Sequence, residues 1–397
     1  MPAKKKPRPH AARPSSDIGA LALSLANRGA EDAADVLRQA EGRQRLAAKV
    51  PSWTAVEGLR YPPRLALEQC SGEVAARYKA EVVRRLLPDG GAMADLTGGF
   101  GVDFSFIAPL FSRAIYVERQ AELCDLARHN FPLLGLKNAE IIEGNGTSQL
   151  EVLPPLDLLF IDPARRDGAG RKTVLIEDCE PDVARLLPQL QAKARFTLVK
   201  LSPMLDVHRA VETLGCVAEV HVVADGGECK DLLLVLCREA VASPMLHVAE
   251  GPLRLSLNLA DEAAAQPHYA ATPAAYLYEP GPAVMKAGVF KWVAVHYGLE
   301  KLHPNSHLYT SAALVPNFPG RTFRVRAVSG FSKKELRDLR ATTDRANLTV
   351  RNFPASVGEL RQRLKVKEGG EAYWFATTLS DGTHRLIDCR KIAAEGR

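Results

Sequence analysis

Between Ala92 and Cys237, short apolar runs ("AMADL", "RAIYVE", "AEIIE", "LDLLFID", "FTLVKL", "VAEVHVV" and "DLLLVLC") alternate with segments of helix length. No other feature of the chain restricts its fold as tightly. Runs that are apolar throughout suit strands buried on both faces, and the helices between them supply the cover, so the texture predicts an α/β domain built on a parallel sheet. The last two runs are separated only by "ADGGECK", which is too short for a helical crossover. They are expected to pair as an antiparallel hairpin at the sheet edge.

At 397 residues the chain exceeds what one hydrophobic core usually supports, so further domains are expected on either side. From Asp17 to about Leu87 the pattern is helical, with Val74, Tyr78, Val82, Val83 and Leu86 at helical spacing and Pro51, Pro62 and Pro63 as breaks. Beyond Cys237 a Pro- and Ala-rich stretch leads to a predicted helix over about Pro282 to His296. A final α+β module follows "NFPG": the strand "RTFRVRAV", a helix, "ANLTVRNF", a second helix, then "EAYWFATT" and "HRLIDCRKI". Both helices open on a capping box, Ser332 with Glu335 and Ser356 with Glu359, and Phe331 and Leu336 are placed to staple the first. The expected organisation is a basic tail over 1–16, a helical region over 17–87, the sheet domain over 88–240, a linking domain over 241–318 and the final module over 319–397.

Charge is distributed unevenly. Residues 321–397 carry 17 Lys+Arg against 9 Asp+Glu, residues 1–13 add five basic residues and no acid, and the remainder holds 30 basic against 37 acidic residues. Basic ends flanking a mildly acidic middle suit a polyanionic partner, although a solubilising surface would read the same way. The N-terminal "MPAKKKPRPHAARP" lacks an apolar stretch behind its charges, and no run approaches the roughly 20 apolar residues of a membrane span, so a cytoplasmic protein is expected. Seven cysteines without a C-x-x-C pair argue for reduced thiols and against a structural zinc site. His303 and His307 have i,i+4 spacing, but Pro304 and Asn305 lie between them, and no metal is expected there.

The chemistry concentrates in "MADLTGGFGVD". Gly98, Gly99 and Gly101 follow the first strand, where a bare backbone lets a ligand approach closely. A third glycine in dinucleotide-fingerprint register is missing, and Asp95 before the loop would repel a pyrophosphate while attracting a cation. Glu118 closes the second strand, where an acid can accept both hydroxyls of a ribose. An adenosine-bearing cation satisfies these features, and S-adenosylmethionine (SAM) is such a molecule. Asn145 lies in "EGNGT" after the third strand, and the resemblance of this region to class I SAM-dependent methyltransferases implies a contact with the adenine, a turn asparagine being the alternative. In "LFIDPARRD", Asp162 and Pro163 end the fourth strand, followed by Arg165 and Arg166. A guanidinium can stack on a base or pair with phosphate. Lys200, ending the fifth strand, is placed to contact substrate or to snorkel. Cys179 sits among Glu177, Asp178, Glu180 and Asp182, a field that opposes thiolate formation, so a buried or capping role is expected.

The loop resembles that of class I SAM-dependent methyltransferases, in which the positions of Asp95, Thr97, Gly98, Gly99 and Gly101 wrap the amino-acid end of the cofactor and the position of Glu118 holds the ribose. It implies a Rossmann-like sheet of seven strands. Enzymes of this kind that methylate amino groups of nucleic acids follow their acid or amide with two prolines and an aromatic. Here Ala164 and Arg165 stand in the last two places, which keeps base methylation open and leaves the acceptor atom undefined. The set "EQCSGEVAARYKA", "DLTGGFGVD", "FIDPARRD", "KLSPMLD", "YEPGPAVMKAG", "NSHLYTS", "FPGRTF" and "RNFP" resembles, from about Leu65 onward, a bacterial methyltransferase family with a ferredoxin-like middle domain and a C-terminal THUMP-like domain. That resemblance implies an RNA substrate, tRNA or rRNA, with Arg351, Phe353, Tyr373 and Trp374 as candidate contacts or as core. The leading expectation is methyl transfer from SAM to an RNA base, with Asp162 orienting the acceptor. A SAM- and RNA-binding scaffold and a small-molecule methyltransferase are the alternatives.

Overall fold

A computed structural model describes residues 33–165, 175–239 and 241–392. The expected basic tail over 1–16 and Arg166 lie outside these residues. The described chain forms two compact units, one of residues 33–165 with 179–199, the other of 175–178, 200–239 and 241–392.

The first unit opens with four helices, α1 (Ala33–Lys49), α2 (Pro51–Thr54), α3 (Arg64–Gln69) and α4 (Glu73–Leu86). The prolines act as expected: Pro51 occupies the first turn of α2, and Pro63 caps α3. Strands then alternate with helices: β1 (Ala92–Asp95), α5 (Val102–Ile107), β2 (Arg113–Glu118), α6 (Ala121–Leu133), β3 (Ala139–Glu143), α7 (Gly146–Val152), β4 (Leu156–Ile161), α8 (Val183–Lys193) and β7 (Ala194–Leu201). A two-residue ribbon, β5 (Ala164–Arg165) against β6 (Cys179–Glu180), interrupts them. Strand order is β7-β4-β1-β2-β3, with every pair parallel. The central β1, β2 and β4 are almost wholly buried, whereas edge strand β3 is not, which is why its run "AEIIE" carries two glutamates.

The helical region packs onto the sheet domain through one core in which Trp53, Tyr61, Leu67 and Ala76 meet Phe100 and Val102. Helix α4 buries the expected Tyr78, Val82 and Val83 and departs from expectation at two positions. Val74 is exposed and Lys79 is completely buried. The reason is polar: Lys79 Nζ donates to Asp103 Oδ1 at 2.9 Å and to Ser71 Oγ at 3.0 Å, and Ser71 Oγ donates to Asp103 Oδ2 at 2.6 Å. Charge buried this deeply is tolerable only when paired and hydrogen-bonded.

In the second unit, α9 (Val207–Leu214) precedes an antiparallel hairpin of β8 (Val217–Asp225) and β9 (Glu228–Leu236), as the short connection requires. Two further strands, β10 (Met245–Glu250) and β11 (Leu253–Asn258), extend it in the order β11-β10-β8-β9, β10 running parallel to β8. After α10 (Leu259–Ala264) a separate sheet begins. Its elements are β12 (Tyr276–Pro280), α11 (Pro282–Ala287), α12 (Phe290–His296), β13 (Glu300–Lys301), β14 (Tyr309–Ser311), β15 (Gly320–Ser329), α13 (Lys333–Arg340), β16 (Asn347–Arg351), α14 (Val357–Leu364), β17 (Ala372–Thr378) and β18 (His384–Lys391). Its order is β13-β14-β12-β15-β18-β17-β16. The segment 241–318 is therefore shared between two sheets, β10 and β11 in one and β12 to β14 in the other. The single helix expected over Pro282 to His296 is broken, because Gly288 ends α11 at a φ of +73°. Both capping boxes form, and Phe331 packs on the cluster that contains Leu336. Among the described residues no helix is long and apolar enough to cross a membrane.

The buried triad yields a stability test. Lys79→Met leaves Asp103 buried without its cation and is expected to cost about 3–5 kcal/mol in denaturant unfolding. Adding Asp103→Leu should recover much of that loss, and a double variant no better than the single one would contradict the pairing argument.

Candidate active site

The loop after β1 is organised by carboxylates. Asp95, at the end of the strand, is almost fully buried and accepts the Thr97 N–H at 2.9 Å. Burial pushes its carboxyl up to about 8, reinforced by the charges of Asp103 and Asp162, with the Thr97 hydrogen bond opposing. Glu118, at the end of the adjacent β2, is also buried. Its Oε2 accepts the Gly99 N–H at 2.8 Å and its Oε1 the Gln120 N–H at 2.8 Å. Asp162 follows β4, which flanks β1 on the other side, and its backbone N–H donates to Thr97 Oγ1 at 2.7 Å. One threonine thus ties the loop to the motif after β4. Asp95, Thr97, Gly99, Glu118 and Asp162 are gathered at the carboxyl ends of three neighbouring parallel strands, where ligands bind in such sheets.

The three glycines serve different ends. A Cβ on Gly98 would overlap the Tyr116 ring, and one on Gly101 would lie 2.8 Å from the Phe131 ring, so both are demanded by packing of the loop on aromatic side chains. Gly99 is different: at φ +59° a side chain there would meet nothing nearer than the Thr97 carbonyl at 3.7 Å, and the Tyr116 hydroxyl donates to the Gly99 carbonyl. Only at Gly99 is the absence of a side chain matched by open space. Gly146, unremarked in the sequence, brings the start of α7 against the Leu96 carbonyl, where a Cβ would clash.

Other candidates take structural positions. Asn145 caps α7, its side chain accepting the Thr147 N–H at 2.9 Å, which is the turn alternative. Pro163 is buried, and Ala164 and Arg165 form the β5 side of the ribbon, with Arg165 opposite the buried Cys179. Lys200 and Arg351 belong to the second unit. Lys200 is the half-buried penultimate residue of β7. Arg351, expected at a substrate, donates to the buried Glu279 at 2.9 and 3.2 Å, together with Arg321. Two arginines around one buried carboxylate are a structural arrangement. The aromatics of the final module lie in its core or half-buried against it. Trp374 is fully buried with Nε1 donating to Asp388 at 3.0 Å, and Phe353 and Tyr373 pack on neighbouring clusters. Of the histidine pair, His307 stacks on Phe290 with ring centroids 3.6 Å apart, and His303 Nδ1 accepts the Asn305 N–H.

Sequence reasoning missed Lys79, Ser71 and Tyr116. The signal was present in "EQCSGEVAARYKA" and "RAIYVE", but nothing in either spacing says that a lysine or a tyrosine points inward beneath a glycine loop.

Parallel strands in this order, with carboxylates at the ends of β1, β2 and β4, define a class I methyltransferase fold. Residues 276–319 match the ferredoxin-like domain family and residues 320–391 the THUMP domain-like family. A candidate methyltransferase from Porphyromonas gingivalis W83, known from its crystal structure, is 36% identical, covers 94% of this chain over 98% of its own, and superposes with a TM-score of 0.82. The chain belongs to that family: methyltransferases that carry a ferredoxin-like domain and a C-terminal THUMP-like domain. An rRNA methylase from Streptococcus thermophilus (14% identity, 40% of this chain and 93% of that one, TM-score 0.32) and a candidate RNA methyltransferase from Pyrococcus horikoshii (17%, 50% and 99%, 0.36) are distant matches. Among curated proteins nothing matches.

The Asp95 environment yields a pH test. With its carboxyl raised from 3.8 to about 8, the folded chain holds a proton that the unfolded chain has released, so stability falls as pH rises through that window and levels off above it. Asp95→Asn, neutral throughout, should therefore melt above the wild-type protein at pH 9, with the gap narrowing toward pH 4. A gap independent of pH would show that Asp95 is charged in the folded protein.

Proposed function

We propose that this protein transfers a methyl group from SAM to a base of RNA. The observation that carries the reading is the Thr97 bridge, which fixes Asp162 against the loop that holds Asp95 and Gly99.

The residues present fit the cofactor. Among the described residues no cation pairs with the buried Asp95, and a ligand bearing ammonium and sulfonium charges offers one. Open space at Gly99 admits the amino-acid end. Glu118 is the acceptor for ribose hydroxyls, exchanging its Gly99 contact for them or sharing it. When bound, SAM would supply an electrophilic methyl group. What the chain adds is placement: Thr97 holds the Asp162 backbone, Pro163 stiffens the turn, and pairing with β6 anchors the backbone of Ala164 and Arg165. The half-buried Asp162 carboxylate is then positioned to orient the acceptor atom and take up its proton. RNA as the substrate rests on the THUMP-like module and on its excess of 17 basic over 9 acidic residues. On α13, Lys333, Lys334 and Arg340 are exposed and suit phosphate contact.

Calorimetry tests the cofactor. SAM and its demethylated product should bind the purified protein, and Glu118→Ala should weaken both by about 1–3 kcal/mol. Unchanged affinity in a folded variant would remove Glu118 from the site.

Labelled SAM and total RNA from cells lacking the gene test the reaction. The wild-type protein should label one nucleoside, and Asp162→Ala should slow single-turnover transfer about 100-fold or more per folded molecule with SAM affinity retained. Label in the metabolite fraction instead would favour a small-molecule substrate. SAM binding without any transfer would favour a scaffold.

A further inference from the structure

Away from the candidate active site, β8 and β10 bring two histidines and a glutamate to one face of their sheet. His221 and His247 are direct partners in the parallel register, and Glu219, two residues before His221, projects to the same face. The imidazoles stack with centroids 4.6 Å apart and planes 14° from parallel. Glu219 Oε2 lies 3.0 Å from His221 Nε2 and 3.9 Å from His247 Nε2, and one donor atom from each of the three residues lies within 4.8 Å of the others. Across the other strand pair, Ser256 stands opposite His247 and its hydroxyl is 2.8 Å from Nδ1.

We propose that Glu219, His221 and His247 bind a divalent ion of the zinc class and so clip β8 to β10. Two imidazole nitrogens and one carboxylate oxygen form a donor set that suits zinc and its late first-row neighbours, whereas magnesium and calcium take oxygen ligands. Ligand atoms about 2.1 Å from a tetrahedral ion lie about 3.4 Å apart, and the observed 3.0 and 3.9 Å straddle that separation. The hydroxyl at Nδ1 is the type of outer contact that fixes a metal-bound imidazole and turns its other nitrogen to the ion. Side-chain exposures of 1% for His221, 13% for Glu219 and 20% for His247 give a site mostly enclosed but open on one side, which leaves the fourth position to water. Binding would replace the proton shared between His221 Nε2 and Glu219 by the ion, releasing that proton to solvent.

The test uses the full-length untagged protein, stripped with chelator and titrated separately with Zn2+ and Co2+. One equivalent of zinc should survive desalting and raise the melting temperature, and Co2+ should give the visible bands of a tetrahedral site without the near-ultraviolet charge-transfer band of thiolate ligation. His247→Ala, at the most exposed of the three positions, and Glu219→Gln should each lower zinc affinity at least tenfold, and Ser256→Ala about 10- to 100-fold. If His247→Ala does not fold, Glu219→Gln and Ser256→Ala decide the matter. Retention below a tenth of an equivalent by the wild-type protein, affinity untouched by the folded variants, or a thiolate band from the chain's cysteines would overturn the proposal.

Discussion

Asp95 is the residue on which the candidate site depends. A carboxyl buried at a strand end, under the influence of Asp103 and Asp162, is costly to ionise in the protein alone. Much of the surrounding architecture bears on this one group. Lys79 and Ser71 engage Asp103, which would otherwise add an uncompensated charge nearby, and Thr97 supplies the hydrogen bond that partly offsets desolvation. The helical region is therefore more than a cover: through α4 it sets the electrostatics beneath the glycine loop.

The strand and loop grammar of the sheet was readable from sequence because it obeys local rules. Runs apolar throughout became buried parallel strands, a seven-residue connection became a hairpin, and two capping boxes began two helices. Side-chain partnerships were less readable. Gly98 and Gly101 look like ligand-contact glycines in the sequence, yet each answers an aromatic ring contributed by a distant element, Tyr116 or Phe131. Arg351 and Trp374 are candidate RNA contacts by residue type, and the structure gives each a buried acid as partner, Glu279 and Asp388. In each case the deciding partner lies on another element, and a sequence pattern records only which residue types are present.

The histidines of β8 and β10 show the same limit from the other side. Metal motifs are recognised when ligands share one helix or one knuckle, where spacing encodes geometry. His221 and His247 converge only through strand register, and between them lies the whole of β9. Nothing in either run distinguishes them from histidines of an ordinary sheet.

The pairing of β12 with β15 has a consequence for how such chains are assembled. β12 opens the stretch matched as ferredoxin-like and β15 opens the stretch matched as THUMP-like, yet the two strands lie side by side in one hydrogen-bonded sheet, with the buried Glu279 of β12 held by arginines of β15 and β16. Two recognisable sequence families here have one structural body. A recombination event that exchanged either stretch alone would expose a raw strand edge and strand a buried carboxylate, so the pair is expected to be inherited, gained and lost together.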